Sequence, residues 1–272
     1  MLFILKKRHF LILKTNYATT LIISNTSRAE SIMNLILLFP SDFTENQNSV
    51  ALSGRRFRYI RTFHRAKPGD TVKVGLINGN RGTGRIKEIS DNRVTIDVTL
   101  TSPPPPPLPV TAIIALPRPK TVKKILHCAT ALGIKRIFFI RTWRVEKSYW
   151  QSPVLKKDSI THECILGLEQ AGDTVMPTVE FRELFKPFIE DEIPLLIQNS
   201  KAIVFHPKAG KTLTHVKNRK QVTIALGPEG GFIDYEIDQL VQRGFTPVTL
   251  GSRIQKVEYV LPYSIGKIFS RY

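Results

Sequence analysis

Two short glycine-bearing stretches hold the residue types from which a ligand crevice can be built. The first is IALGPEGGFIDYE, residues 224–236, in which an apolar run breaks at Gly227-Pro228-Glu229-Gly230-Gly231 before a helical pattern resumes. Three glycines and a proline within five residues discard most of the side-chain surface a loop can offer. What remains is backbone N–H and C=O, which glycine lets a ligand approach closely. Such a turn also serves merely to reverse a chain. It is neither a phosphate loop nor a dinucleotide fingerprint, since no Lys-Ser/Thr pair and no third spaced glycine follows. Gly230 is where an added side chain is expected to obstruct both a left-handed backbone and a ligand. The second stretch, FTPVTLGSRIQKVEY, residues 245–259, ends a strand at Gly251 and then brings Arg253, Lys256 and Glu258. Two glycine turns at the ends of neighbouring strands make one crevice.

The elements that must position these turns follow from periodicity. After residue 110, strand and helix patterns alternate: TAIIAL, then PKTVKKILHCATALG with Val122, Ile125, Leu126, Ala129 and Leu132 at helical spacing, then IKRIFFI. A second helix, DSITHECILGLEQAG, has Asp158 as its candidate N-cap and Gly172 as its stop. KAIVF, VTIAL and FTPVTL supply further strands, and Asp234 is the expected cap of a helix that turns Ile237, Leu240 and Val241 inward. Alternation of this kind predicts an α/β domain over 110–272 with a mostly parallel sheet and ligands at its carboxyl edge. Residues 33–101 read instead as short strands (NLILLF, NSVALS, DTVKVGLI, GTGRIKEI, RVTIDVTL) separated by turn residues, a small β-barrel. SPPPPPLP, residues 102–109, is expected to be a stiff polyproline linker unable to enter a central strand. Residues 1–32 are basic, poor in acids and rich in Ser and Thr. They read as an N-terminal extension outside the fold, or alternatively as an organelle transit peptide.

The 272-residue chain carries 40 Lys plus Arg against 22 Asp plus Glu, a formal charge of +18 that favours a polyanion: nucleic acid first, an anionic membrane surface second. The charge concentrates in GRRFRYIRTFHRAK, residues 54–67. Arg55, Arg56, Arg58, Arg61, Arg65 and Lys67 offer phosphate contacts there, and Phe57, Tyr59 and Phe63 offer stacking surfaces, unless the run is only a solvated helix face. The two cysteines, Cys128 and Cys164, stand singly, which argues against zinc and disulfides and for a reducing compartment. No apolar run is long enough to span a membrane. The chain is therefore expected to be cytoplasmic, without metal and without membrane attachment.

LGPEGGF followed by LGSRI and VE resembles the RsmE family, small-subunit ribosomal RNA uridine N3-methyltransferases of the SPOUT superfamily. The resemblance spans residues 33–272 and includes RYIRTFHRAKPGD, LPRPK, LGI, VEKSYWQSP and GLEQAGDTVMP. It implies a PUA-like RNA-binding barrel, a trefoil-knotted SPOUT domain, S-adenosyl-L-methionine as cofactor, 16S rRNA as substrate and a homodimer with cofactor sites at the subunit interface. The residues independently support a crevice of backbone groups at Gly227, Pro228, Glu229, Gly230, Gly231 and Gly251. Leu226, Leu250 and Ile254 are its apolar walls.

The implied chemistry is in-line attack by uracil N3 on a sulfonium methyl, and the imide proton must leave. Glu258 is the candidate base, with Glu229 in reserve, and either can instead be structural, Glu258 pairing with Arg253. Arg253 is read as a phosphate or base-edge contact. The chain departs from the family's usual pattern at Gln255, Lys256, Tyr259 and Val260, and Ala131-Leu132-Gly133 stands where ELG is common. Those departures keep open a non-catalytic, rRNA-binding assembly factor on the same fold, or an enzyme acting on another RNA.

Overall fold

A computed structural model describes residues 34–45, 48–213 and 221–269. The extension read over residues 1–32 lies outside the described residues. The first sheet holds β1 (Ile36–Leu38), β2 (Ser49–Leu52), β3 (Thr71–Leu76), β4 (Arg81–Ile89) and β5 (Val94–Ser102), in the order β1-β3-β4-β5-β2. β1 runs parallel to β3 and the other pairings are antiparallel. β5 shows why it folds this way: Val94, Ile96 and Val98 point to the core while alternate residues face water. Helix α1 (Gly54–Thr62) adds Phe57 and Ile60 to that core. No ladder joins the outer strands β1 and β2 among the described residues, so the expected barrel is a curled half-barrel.

The second sheet is six-stranded and wholly parallel, in the order β11-β9-β10-β6-β7-β8. Its strands are β6 (Leu108–Ala115), β7 (Ile134–Ile140), β8 (Thr178–Arg182), β9 (Lys201–Phe205), β10 (Val222–Leu226) and β11 (Thr246–Val248). The central strands β6 and β10 are almost continuously buried, as parallel strands covered on both faces must be. Helix α2 (Pro119–Ala131) packs on α3 (Lys157–Ala171) and on α7 (Val257–Ile268). A helical stretch made of α4 (Phe185–Pro187), a π turn (Phe188–Glu192) and α5 (Ile193–Ile197) leads into β9, and α6 (Asp234–Gln242) lies against β11.

Several expectations are corrected. Leu108 and Pro109 belong to β6, a central strand, and a register irregularity between Leu108 and Thr111 takes up the proline, which has no N–H to give the ladder. Strand β8 went unread because TVEFR carries too few apolar residues for a buried strand, and it lies at the sheet edge. Helix α3 starts one residue before Asp158, with Lys156 at the N-cap. Asp158 serves the first turn by its charge, favourable near the positive end of the helix dipole. Val241 is exposed, and Leu240 alone of the three α6 residues is fully buried.

The two sheets are joined at the carboxyl end of α3. The N–H groups of Asn34 and Leu35 both donate to the Glu169 carbonyl, at 2.9 and 3.1 Å, and Arg81 donates to the Gly172 carbonyl at 3.0 Å. Thr174 donates its hydroxyl to the Gly79 carbonyl at 2.6 Å, and Leu35, Leu37 and Leu168 form a small apolar cluster beside it.

Candidate functional site

The crevice forms where β9, β10 and β11 end. β10 leaves the core at Leu226, and Gly227, Pro228, Glu229, Gly230 and Gly231 follow along one wall. Leu250, Gly251, Arg253 and Ile254 make the opposite wall, enclosing about 200 Å³. The two glycine turns are not on neighbouring strands as expected, because β9 pairs with both β10 and β11 and lies between them. They converge nonetheless, over the end of β9, whose following residues His206 and Pro207 form the floor with Phe205. His206 N–H donates to the Val248 carbonyl at 3.0 Å and Thr249 N–H to the Lys211 carbonyl at 2.8 Å, so the segment after β9 braces the second turn.

Backbone geometry explains the glycines individually. A Cβ on Gly227 would lie 3.0 Å from the Phe232 nitrogen and 3.1 Å from its ring, so no side chain fits without moving backbone. The left-handed conformation expected at Gly230 belongs instead to Gly231, at φ +74°, where its N–H closes a turn onto the Pro228 carbonyl at 2.8 Å. Gly230 accepts a hydrogen bond at its carbonyl from the Arg144 guanidinium. The α6 cap also differs. Ile233 is the N-cap and Asp234 the first helical residue, while the buried carboxylate of Glu236 accepts from Ile233 N–H at 3.0 Å and from Trp143 N–H at 2.6 Å. Glu236 thereby ties the turn after β7 to the glycine loop. Its place at the third helical position, three residues after the cap, was the signal that could have found it.

The two carboxylates proposed for chemistry part company. Glu229 stands on the crevice wall and accepts from the Arg118 N–H at 3.2 Å, holding the glycine loop to the start of α2. Glu258, in the first turn of α7, is not among the wall residues. Its carboxylate lies 3.5 Å from the Lys124 ammonium of α2 and pairs with that group rather than with Arg253. Arg253 is exposed and makes no ion pair among the described residues. His206 went unread; a histidine placed immediately after the buried strand KAIVF, at the same edge as the glycine turns, was its only mark. No hydrogen bond engages its imidazole among the described residues.

The basic run divides in the same way. Arg55 makes two hydrogen bonds, 2.7 and 3.0 Å, to Glu169, whose side chain is fully buried. Arg56 grips Asp42 with both guanidinium nitrogens and reaches the Leu37 carbonyl. Both guanidinium groups thus serve the fold. Arg58, Arg61, Arg65 and Lys67 are exposed, and of these Arg61 contacts the Asp91 carbonyl at 3.2 Å. The aromatics expected as stacking surfaces are mostly core: Phe57 and Tyr59 are each only 6% exposed, and Phe63 alone presents its ring, stacked on Tyr59. Burial pushes both thiols, Cys128 and Cys164, up from their ordinary values, which keeps them protonated. Among the described residues no group of His, Cys, Asp and Glu is arranged to hold a metal, and no helix is long and apolar enough to cross a membrane.

Comparison with known proteins places this geometry. Residues 104–264 match the model of the RNA methyltransferase domain. The chain is 27% identical over 232 residues to the ribosomal RNA small subunit methyltransferase E of Treponema pallidum, covering 83% of this chain and 86% of that one. It is 28% identical over 213 residues to the protein of that name from Synechocystis, covering 76% and 68%. Among solved structures, the ribosomal RNA small subunit methyltransferase E from Neisseria gonorrhoeae bound to S-adenosyl methionine superposes with a TM-score of 0.69 at 18% identity, over 89% of this chain and 98% of that one. A putative methyltransferase from Legionella pneumophila in complex with the same cofactor gives 0.66 at 18% identity, over 88% and 98%. The resemblance carried by GPEGG and LGSRI therefore holds, and the α/β fold, a curled mixed sheet followed by an all-parallel six-stranded sheet, matches these structures.

Proposed function

The chain belongs to the RNA methyltransferase domain family, and from that membership we propose that it transfers a methyl group from S-adenosyl-L-methionine to N3 of a uridine in 16S rRNA of the small ribosomal subunit. The observation that carries the reading is the convergence of both glycine turns over β9 in one crevice at the carboxyl edge of a parallel sheet. Its residues fit the cofactor. Backbone groups along the two glycine turns suit an adenine edge and a ribose, and Leu226, Leu250 and Ile254 offer apolar contact to the methylenes flanking the sulfonium. When bound, the cofactor supplies an electrophilic methyl on a sulfonium sulfur.

The chain's own residues then have three tasks. Arg253, exposed at the rim and without an ion pair among the described residues, anchors a phosphate or a uracil oxygen and orients N3 toward the crevice. For methyl to be placed on uracil N3, a group of the protein must accept the N3 proton. We assign its acceptance to His206, because Glu229 is engaged by Arg118 and Glu258 by Lys124 outside the crevice. Glu258 in this reading positions α7 against α2. Arg58, Arg65 and Lys67, which lack side-chain partners among the described residues, join Arg61 in docking the half-barrel on rRNA phosphates.

A homodimer completes the site. Ile254 is 87% exposed on the crevice rim, and Tyr259 and Tyr263 are exposed one turn apart on α7, an apolar strip that a second copy would cover. The proposed place of action is the cytoplasm. Incubating the protein with unmodified small subunits and radiolabelled cofactor, then locating the methyl by mass spectrometry, tests the proposal. Methyl on uridine N3 upholds it, methyl elsewhere corrects the substrate, and tight binding without transfer identifies an assembly factor.

A further inference from the structure

A second cavity, of about 620 Å³, opens at the same carboxyl edge of the parallel sheet, where β7 and β8 end. Its walls come from three elements: Arg141, Thr142 and Trp143 after β7, Leu184 and Lys186 after β8, and Tyr235 at the start of α6. The Trp143 indole is 80% exposed and Tyr235 is 50% exposed. The indole therefore presents an open aromatic face on which a planar group can stack.

Its backbone is not loose. Trp143 N–H donates to the buried Glu236 carboxylate at 2.6 Å, and the next residue, Arg144, donates its guanidinium to the Gly230 carbonyl. The turn that presents the indole is thus bolted to the glycine loop of the crevice. Cations surround the opening. Lys147 has no ion-pair partner among the described residues, Arg141 is only 4.0 Å-paired with the exposed Glu183, and Lys186 only 3.9 Å-paired with Glu190. The other acid of the walls, Glu236, has both oxygens occupied by backbone N–H groups. Thr142, 5% exposed on the same wall, has a hydroxyl with no hydrogen-bond partner among the described residues.

Resting on the methyltransferase reading above, we propose that this cavity is a subsite for an unpaired base of the RNA that neighbours the methylated nucleotide. The base stacks on Trp143, and its phosphate meets Lys147 and Arg141. Stacking on an exposed aromatic, with cations tracking the backbone, is how single-stranded RNA is held without a strict sequence requirement. The position also makes sense of the bolted turn. A base seated on Trp143 would be registered against the glycine loop through Glu236 and Arg144, which fixes how far the target uracil reaches into the crevice.

The test uses the full-length protein with Trp143→Ala and Trp143→Phe, and a single-stranded oligouridylate of about ten nucleotides, within the span of common single-strand sites. Trp143→Ala is expected to weaken oligonucleotide binding by about 5- to 100-fold, the range for losing one stacked base, and Trp143→Phe by much less. Tryptophan fluorescence of the wild type should quench on binding. The quench should vanish in Trp143→Phe, in which Trp150, the other tryptophan, remains. Affinity for S-adenosylmethionine, by calorimetry, should stay within about twofold, as should the dimer dissociation constant. Unchanged RNA affinity in Trp143→Ala overturns the subsite, and so does a loss accompanied by dissociation of the dimer, which would make Trp143 a protein contact. Absence of cofactor binding by the wild type would instead overturn the methyltransferase reading, so the two failures are distinct.

Discussion

The crevice at the end of β10 and the basic helix α1 both drew attention through unusual composition, yet they are built on opposite principles. In the crevice the working groups belong to the backbone. Glycine removes side chains there, and the structure brings the residues read from the two turns to one cavity, Lys256 and Glu258 excepted. On α1 the working groups are side chains, and a helix sends its residues in all directions. Arg55 and Arg56 turn toward Glu169 and Asp42, Phe57 and Tyr59 go into or against the core, and only Arg58 and Arg61, with Arg65 and Lys67 just past the helix, remain exposed for a polyanion. A motif written in backbone conformation keeps its meaning once the chain folds, whereas a motif written in charge is divided between fold and function by the helical period.

The largest effect should come from breaking the backbone side of that contrast. Gly227→Val places carbon against the Phe232 nitrogen and should abolish detectable S-adenosylmethionine binding in calorimetry, while overpacking lowers stability by only about 1 to 3 kcal/mol. Wild-type affinity in a folded Gly227→Val protein would remove the glycine loop from the cofactor site. Gly230→Val should be milder, since its nearest obstacle is the flexible Arg144 side chain at 3.0 Å.

The next variants sharpen which side chain in or near the crevice takes part in chemistry. His206→Ala should slow methyl transfer by about 100-fold or more, the scale of a lost proton acceptor, with cofactor affinity retained. Glu258→Gln should slow it far less, because the carboxylate faces Lys124 outside the crevice. The reverse ranking in single-turnover assays would return the proton to Glu258.

On α1 two neighbouring arginine sites should give unlike results. Arg55→Ala strands the buried Glu169 carboxylate and should cost about 2 to 3 kcal/mol in denaturant unfolding, at or just below the roughly 3 to 5 kcal/mol of a fully buried pair because Arg55 is itself partly exposed. Replacing Arg58, Arg61 and Arg65 together by Ala should leave stability nearly unchanged. It should flatten the log–log salt dependence of RNA binding by about 2 to 3, or roughly 0.7 to 0.9 for each phosphate no longer neutralised. An unaltered slope would show that this face does not dock RNA. The smallest effect concerns residues 1–32. With Asn34 and Leu35 anchoring the fold to Glu169, their deletion should move the melting temperature by less than about 2 °C, the shift of roughly 1 kcal/mol in a protein of this size.

Composition and local pattern alone determined the strand at 222–226, the helices at 119–131 and 157–171, the curled antiparallel strands before the prolines and the two glycine turns, because each depends on neighbours within a few residues. The apolar runs of β6 and β10 read as buried strands of a parallel sheet. Tertiary structure decided what depends on distant partners. It set β9 between the two glycine turns and so put His206 on the crevice floor. It made Pro109 part of a central strand by bulging the ladder. It coupled Glu258 to Lys124, 134 residues away, and Arg55 to Glu169, 114 residues away. Strand order and ion pairing are set by which surfaces meet across the whole chain, and no window of sequence contains that information: a carboxylate looks the same to its neighbours in sequence whether it faces a substrate or a lysine on the next helix.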